Sequence, residues 1–178
     1  MKKLIKLTLT LAMVMCSTSL FAQKFGRINL QEVIFAMPEF KEMQTKIEAL
    51  SKDWSEQLEA IQVEFNNKYA EFQKALPTLS ETAKQVKESE LQGLQTRYTE
   101  LQQVAQQDVE KQQGELFRPI HEKASDAVKK VASAGDYTAV FDMSINSLAY
   151  VNEATVTDIS AAVRKELGIT ETPAAAQQ

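Results

Sequence analysis

Residues 38–76, PEFKEMQTKIEALSKDWSEQLEAIQVEFNNKYAEFQKAL, carry apolar side chains at Phe40, Met43, Ile47, Leu50, Trp54, Leu58, Ile61, Phe65, Tyr69, Phe72 and Leu76, always three or four residues apart. Ten steps from Phe40 to Leu76 cover 36 residues, 3.6 per step, which is the repeat of the α-helix itself. The apolar seam therefore runs nearly straight along one helix and demands little supercoiling. Such a seam predicts an antiparallel helical neighbour. Pro77 interrupts the pattern, and Thr78 with Glu81 has capping-box spacing for a new helix, so a turn is expected at about residues 76–80.

The neighbour is the stretch from about residue 80 to 134, with apolar positions at Val86, Leu91, Leu94, Tyr98, Leu101, Ala105, Val109, Leu116, Ile120, Ala124, Val128 and Val131. Its middle is weaker, because Gln102, Gln103, Gln106, Gln107, Gln112 and Gln113 crowd the part where only Ala105 and Val109 are apolar. Pro119 removes a backbone donor inside the helical pattern and predicts a bend. At 1.5 Å per residue the two helices would be roughly 60 Å and roughly 80 Å long. The expectation is a helical hairpin projecting from a small base.

The base is read from both ends of the chain. Lys24 to Leu30 (KFGRINL), Tyr137 to Asp142 (YTAVFD) and Leu148 to Val151 (LAYV) are expected as three short strands, the last two joined as a hairpin through Met143 to Ser147. Gly135 is a helix-stop residue. Val156 to Leu167, with Ile159, Val163 and Leu167 on one stripe and Gly168 after them, is expected as a short closing helix. The fold class is thus α+β: a small β-strand body with short helices, carrying a long antiparallel coiled-coil hairpin.

Composition narrows the chemistry. The chain has 178 residues with 44% hydrophobic and 25% charged content, and only one Cys and one His. That leaves no zinc site of ordinary spacing and no thiol–imidazole couple. There is no Gly-x-x-x-x-Gly-Lys or Gly-x-Gly-x-x-Gly stretch, so nucleotide chemistry is not expected. Asp136, Asp142 and Asp158 near the strand ends have no accompanying base, nucleophile or metal set. No catalytic residue, metal or cofactor is expected, and His121 reads as a surface residue.

Residues 1–22 read as a cleavable export signal: Lys2, Lys3 and Lys6, an apolar run from Leu7 to Met15 too short to span a bilayer, and a small-residue exit ending at Ala22. Cys16 leaves with it, so no disulfide supports the mature chain. The signal carries three lysines and no acid, so 17 basic side chains face 24 acidic ones afterwards, a formal −7. No Lys/Arg run suited to nucleic acid or anionic lipid is present, so neither nucleic-acid binding nor stable membrane insertion is expected. Residues 170–178 (TETPAAAQQ) lack periodicity and read as a disordered tail. The expected division is 23–37 with 119–169 as the body, and 38–118 as the arm.

Lys24 to Val33 (KFGRINLQEV), Pro119 to Asp142 (PIHEKASDAVKKVASAGDYTAVFD) and Leu148 to Gly168 (LAYVNEATVTDISAAVRKELG) resemble the Skp/OmpH family of periplasmic chaperones for outer-membrane proteins. The hairpin is similar to that family in length and periodicity rather than in particular letters. The resemblance implies a homotrimer whose strands build one central body. Three hairpin arms would surround a cavity that holds unfolded outer-membrane proteins without ATP, until hand-over to the membrane insertion machinery. The family's best-studied members are strongly basic, whereas residues 38–134 hold 13 basic and 17 acidic side chains, so no lipopolysaccharide site is carried over.

On this reading Phe65, Tyr69, Phe72, Leu76, Leu91, Leu94, Tyr98 and Leu101 form the client-contacting face of the arm, while one stripe of the same residues must also zip the two helices. Phe25, Ile28, Val140, Phe141, Leu148 and Tyr150 are the oligomerisation residues of the body, and Pro119 is a hinge or a fixed bend. The competing class is a structural or adaptor coiled-coil protein of the cell envelope. Adaptors with a helical hairpin need further β domains on both sides of it, and too few residues flank the arm here to build them.

Overall fold

Asn29 decides where the first strand stops. Its Oδ1 accepts the Glu32 backbone N–H at 3.2 Å, and its Nδ2 donates to Glu32 Oε1 at 2.7 Å. This variant of the capping box starts a helix directly after the strand. The computed structural model describes residues 23–145 and 148–169; the expected export signal, 1–22, and tail, 170–178, lie outside the described residues. In chain order the elements are β1 (Lys24–Ile28), α1 (Leu30–Ala36), α2 (Pro38–Ala75), α3 (Glu81–Ala134), β2 (Tyr137–Asp142), a 3₁₀ turn (Met143–Ile145), β3 (Thr157–Asp158) and α4 (Ser160–Glu166). Leu30, read above as strand, is therefore the first residue of α1.

The sheet has the order β2-β1-β3, with both neighbours parallel to β1. Phe25 lies opposite Ala139, and Gly26 lies opposite Val140 on one side and Thr157 on the other. Parallel neighbours need a long crossover, and α1, α2 and α3 supply it between β1 and β2. The expected hairpin of Tyr137–Asp142 with Leu148–Val151 does not form. Asp142 Oδ1 accepts the Ser144 N–H at 2.9 Å, the Ser144 hydroxyl at 2.7 Å and the Leu30 N–H at 3.3 Å. The carboxylate thereby ends β2 in a tight turn and ties it to the start of α1. The third strand is instead Thr157–Asp158, inside the segment expected to be helical. Asp158 Oδ1 then accepts the Ser160 N–H at 2.9 Å, and α4 begins four residues later than the apolar stripe suggests.

The chain divides into two compact units, one of residues up to Ala36 and from Lys123 onward, the other Met37–Glu122. The first is built on a core of Ile28, Val33, Ala127, Ile159 and Val163, with Val128, Val131, Tyr137, Val140, Leu167 and Ile169 packed against it. Five elements each contribute to this core, and the stripe Ile159–Val163–Leu167 faces it as expected. Gly26 permits a close approach of the strands: a Cβ there would lie 3.2 Å from Val140 Cγ2 and 3.3 Å from the Tyr137 ring. Gly168, at φ 71°, closes α4. Its N–H donates to Lys165 O at 3.1 Å and that of Ile169 to Arg164 O at 2.9 Å, the paired bonds of a Schellman ending. Around the core Arg27 pairs with Glu153 at 3.0 Å and with Asp158 at 3.8 Å, and Lys130 pairs with Glu166 at 3.4 Å.

The second unit is the helical hairpin. Trp54 of α2 reaches Asp108 of α3, and Lys68 of α2 reaches Glu90 of α3; one number rises as the other falls, so the helices are antiparallel. Met43, Ile61 and Phe72 on α2 and Leu94, Ala105 and Ile120 on α3 are buried, each on the periodic seam. The connection is short. The Thr78 N–H and hydroxyl both donate to Ala75 O, at 2.9 and 3.0 Å, and Ser80 Oγ accepts the Ala83 N–H at 3.3 Å. Ser80, not Thr78, is therefore the cap of α3. That helix is unbroken through Pro119. All the Gln-rich positions except half-buried Gln112 are exposed, a solvated face rather than a break in the seam.

Candidate functional site

The eight arm residues singled out by periodicity fall into three environments. Phe72 and Leu94 are buried in the seam. Phe65, Leu91, Tyr98 and Leu101 are half-buried. Tyr69, 47% exposed, and Leu76, 37% exposed, turn a large part of their apolar surface to solvent. A seam side chain on a two-helix hairpin has a partner on one flank only, so this graded burial is what the geometry allows. Three of the eight, Phe65, Leu94 and Tyr98, meet at a groove between the helices.

That groove has a volume of about 370 Å³ and is lined by Ile61, Gln62 and Phe65 of α2 and by Leu94, Gln95, Tyr98 and Thr99 of α3. Ile61 and Leu94 form its buried floor, Phe65 and Tyr98 its half-buried walls, and Gln62, Gln95 and Thr99 its exposed rim. None of the seven is charged. Tyr69 continues the wall by stacking on Phe65, with ring centroids 6.1 Å apart and planes 8° from parallel. Phe72, Leu76, Leu91 and Leu101 do not line it. The rim residues Gln62, Gln95 and Thr99 were missed from sequence because a polar residue beside a helical seam looks like any solvated position. Val86, read as a position of the α3 pattern, is exposed, and two further exposed valines, Val63 and Val104, lie off the seam on the same two helices. The signal of Val63 and Val104 in the sequence is an apolar residue that breaks the polar face.

The six residues expected at subunit contacts are also divided. Ile28 is 2% exposed and is spent on the chain's own core, against which Val140 packs. Phe25 and Phe141 stack on neighbouring strands, centroids 5.9 Å apart and 23° from parallel, and both remain half-buried. Leu148 is 37% exposed and Tyr150 81% exposed, and Ile145, not singled out before, is 67% exposed. At the start of β2, Lys24 Nζ sits 4.1 Å above the Tyr137 ring centre and donates to Gly135 O at 3.0 Å.

Electrostatics in the sheet-bearing unit centre on Asp158. Partial burial, the largest influence, pushes its carboxyl up, but the Ser160 hydroxyl and backbone N–H and the Arg27 and Arg164 guanidiniums together outweigh it. The group is held below the usual carboxylate range. His121 is exposed with its ring tilted against Phe117, 6.1 Å between centroids. Among the described residues no set of three or more His, Cys, Asp or Glu side chains is placed to hold a metal ion.

The chain is similar to chaperones along nearly its whole described length. It is 27% identical to the chaperone protein Skp of Yersinia enterocolitica over 151 residues, covering 85% of this chain and 90% of that one. It is also 27% identical to the chaperone protein Skp of Vibrio cholerae over 150 residues, with 81% and 88% covered. Its fold matches the crystal structure of a protein described as an OmpH-like outer membrane chaperone from Caulobacter crescentus. The TM-score is 0.70 at 15% identity, over 80% of this chain and 82% of that one. Residues 24–167 match the family described as Outer membrane protein (OmpH-like), and the chain belongs to that family.

Proposed function

We propose that this chain is a non-catalytic, ATP-independent holdase of the periplasm that keeps unfolded outer-membrane proteins from aggregating before membrane insertion. The observation that carries the reading is the match of residues 24–167 to the OmpH-like family, together with a hairpin whose seam leaves Phe65, Tyr69 and Tyr98 partly open beside an uncharged groove. Weak contacts spread over a long apolar surface suit holding rather than chemistry, since no single strong site is needed and release requires no covalent step.

Export by a signal at residues 1–22 belongs to the same reading, as does a homotrimer assembled through the sheet-bearing unit, with client held between the hairpins of the three copies. Exposed Ile145, Leu148 and Tyr150, with the half-buried Phe25–Phe141 stack, support apolar contact between copies. Pro119 has no N–H to give to the carbonyl four residues back, which supports a flexing point in α3. Hand-over to the insertion machinery completes the proposal.

The test is direct. A urea-unfolded outer-membrane β-barrel protein is diluted into buffer containing residues 23–178, without nucleotide, and light scattering is followed. Suppression near one trimer per client is expected, and scattering that persists at excess chain rules the function out.

A further inference from the structure

The groove between α2 and α3 has a chemistry more definite than a general apolar surface. Its floor and walls are Ile61, Leu94, Phe65 and Tyr98, and its rim is two amides and a hydroxyl. In a chain with 25% charged residues, seven uncharged residues in one place favour an uncharged occupant. A charged group entering here would lose hydration with no ion to replace it. The rim suits a peptide backbone, because amide and hydroxyl groups can both donate and accept. Gln62 Nε2 already donates to Asn66 Oδ1 at 3.2 Å, and Thr99 Oγ1 to Gln95 O at 3.0 Å. The Gln62 carbonyl, the Thr99 oxygen lone pairs and the Gln95 amide remain to meet backbone groups.

Two cross-helix links flank the groove. The Trp54–Asp108 hydrogen bond at 3.1 Å lies on one side of it along both helices, and the Lys68–Glu90 ion pair at 3.5 Å on the other. At about 370 Å³, near the lower end of ligand sites, it accommodates large side chains but not a helix. Spacing supplies the last constraint. Phe65 and Tyr69 are one helical turn apart, about 6 Å of rise. Alternate side chains on an extended strand are about 6.7 Å apart. A strand running along α2 with one apolar side chain in the groove would lay the next but one against the exposed Tyr69 ring.

We propose, resting on the holdase reading, that this groove with Tyr69 is a subsite for an extended segment whose alternate side chains are large and apolar, the pattern of a membrane β-strand. The occupant is recognised by its period of two, not by its overall hydrophobicity. A client segment of the same composition in which no two apolar residues stand two positions apart fills the groove once and finds no second contact.

Two fluorescein-labelled ten-residue peptides of identical composition test this, one alternating tyrosine and leucine with serine and threonine, the other with the same residues arranged in apolar pairs parted by polar pairs, so that no two apolar residues stand two positions apart. Anisotropy titrations with residues 23–178 should show the alternating peptide bound about tenfold more tightly. Thr99→Lys and Gln62→Lys charge the exposed rim without touching the seam, and each should erase most of that preference while the far-ultraviolet circular dichroism stays unchanged. Equal binding of the two peptides by the wild-type chain overturns the inference with no recourse to variants, as does a preference that survives both lysine substitutions. The scattering assay is run on the same samples. Suppression without peptide discrimination removes the subsite and leaves the holdase standing, whereas failure of the wild-type chain to suppress aggregation removes both.

Discussion

Trp54 on α2 donates its indole N–H to the Oδ2 of Asp108 on α3 at 3.1 Å. It is a partly buried polar contact across a seam otherwise made of aliphatic and aromatic side chains. Because it pairs two particular positions 54 residues apart, it fixes the register of the hairpin where the neighbouring seam residues on α3 are the small Ala105 and Val109. Asp108→Ala should cost about 1–2 kcal/mol, toward the low end for a hydrogen bond to a charged group because the contact is only partly buried, and Asp108→Asn less, since an acceptor remains. Trp54 is the only tryptophan, so its emission in urea titrations reads the hairpin directly. A double-mutant cycle with Trp54→Phe should return a coupling of about 1 kcal/mol; additive losses would mean the bond does not set the register.

Asp158 links β3 to α4 and to Arg27, and its carboxyl is held below the ordinary value. A depressed carboxylate stabilises the fold above its unfolded pKa, and that contribution disappears as the pH falls through the lower folded value. The loss is therefore expected below about pH 4. Asp158→Asn keeps an acceptor for the Ser160 N–H but cannot titrate. Urea midpoints measured from pH 7 down to pH 2 should fall less steeply for this variant than for the wild type at the acid end. Parallel curves would assign acid sensitivity to other carboxylates.

Gly135 lies where α3 gives way to β2. A Cβ at this position would come within 2.5 Å of the Tyr137 ring and 3.2 Å of Val131 O. The ring is also the platform beneath Lys24, so it cannot move without loosening the start of β1. Gly135→Ala is expected to cost about 1–3 kcal/mol, the usual range for overpacking. The second substitution Tyr137→Ala should make Gly135→Ala nearly neutral in that background. Persistence of the full cost there would place the strain in the backbone at Val131 instead.

The hairpin was legible because its signal is long. A period of 3.6 sustained from Phe40 to Leu76 has no competing explanation, and both the seam and the turn near Pro77 follow from it. The third strand was illegible for the opposite reason. Thr157–Asp158 is two residues long and carries no periodicity; it exists because β1 offers it an edge and Asp158 caps the helix behind it. Leu148–Val151 has better strand composition, but Asp142 ends β2 in a tight turn and no hairpin follows. The Asn29–Glu32 cap was available to a closer reading of residues 29–32 and would have ended β1 at Ile28, two residues before Leu30. In the groove, Phe65, Leu94 and Tyr98 were found as seam residues. Gln62, Gln95 and Thr99 depend on how two helices are registered against each other, which no local pattern encodes.

The hairpin is held to be where unfolded protein is gripped, and site-specific photo-crosslinking asks this most plainly. A photoreactive phenylalanine analogue is placed at Tyr69, 47% exposed on α2, and, separately, at Lys129, whose side chain is 73% exposed in the sheet-bearing unit. Each protein is mixed with a urea-diluted outer-membrane β-barrel client and irradiated. Adducts from position 69 several-fold above those from position 129 are the predicted result. Equal yields, or adducts from position 129 alone, would contradict it.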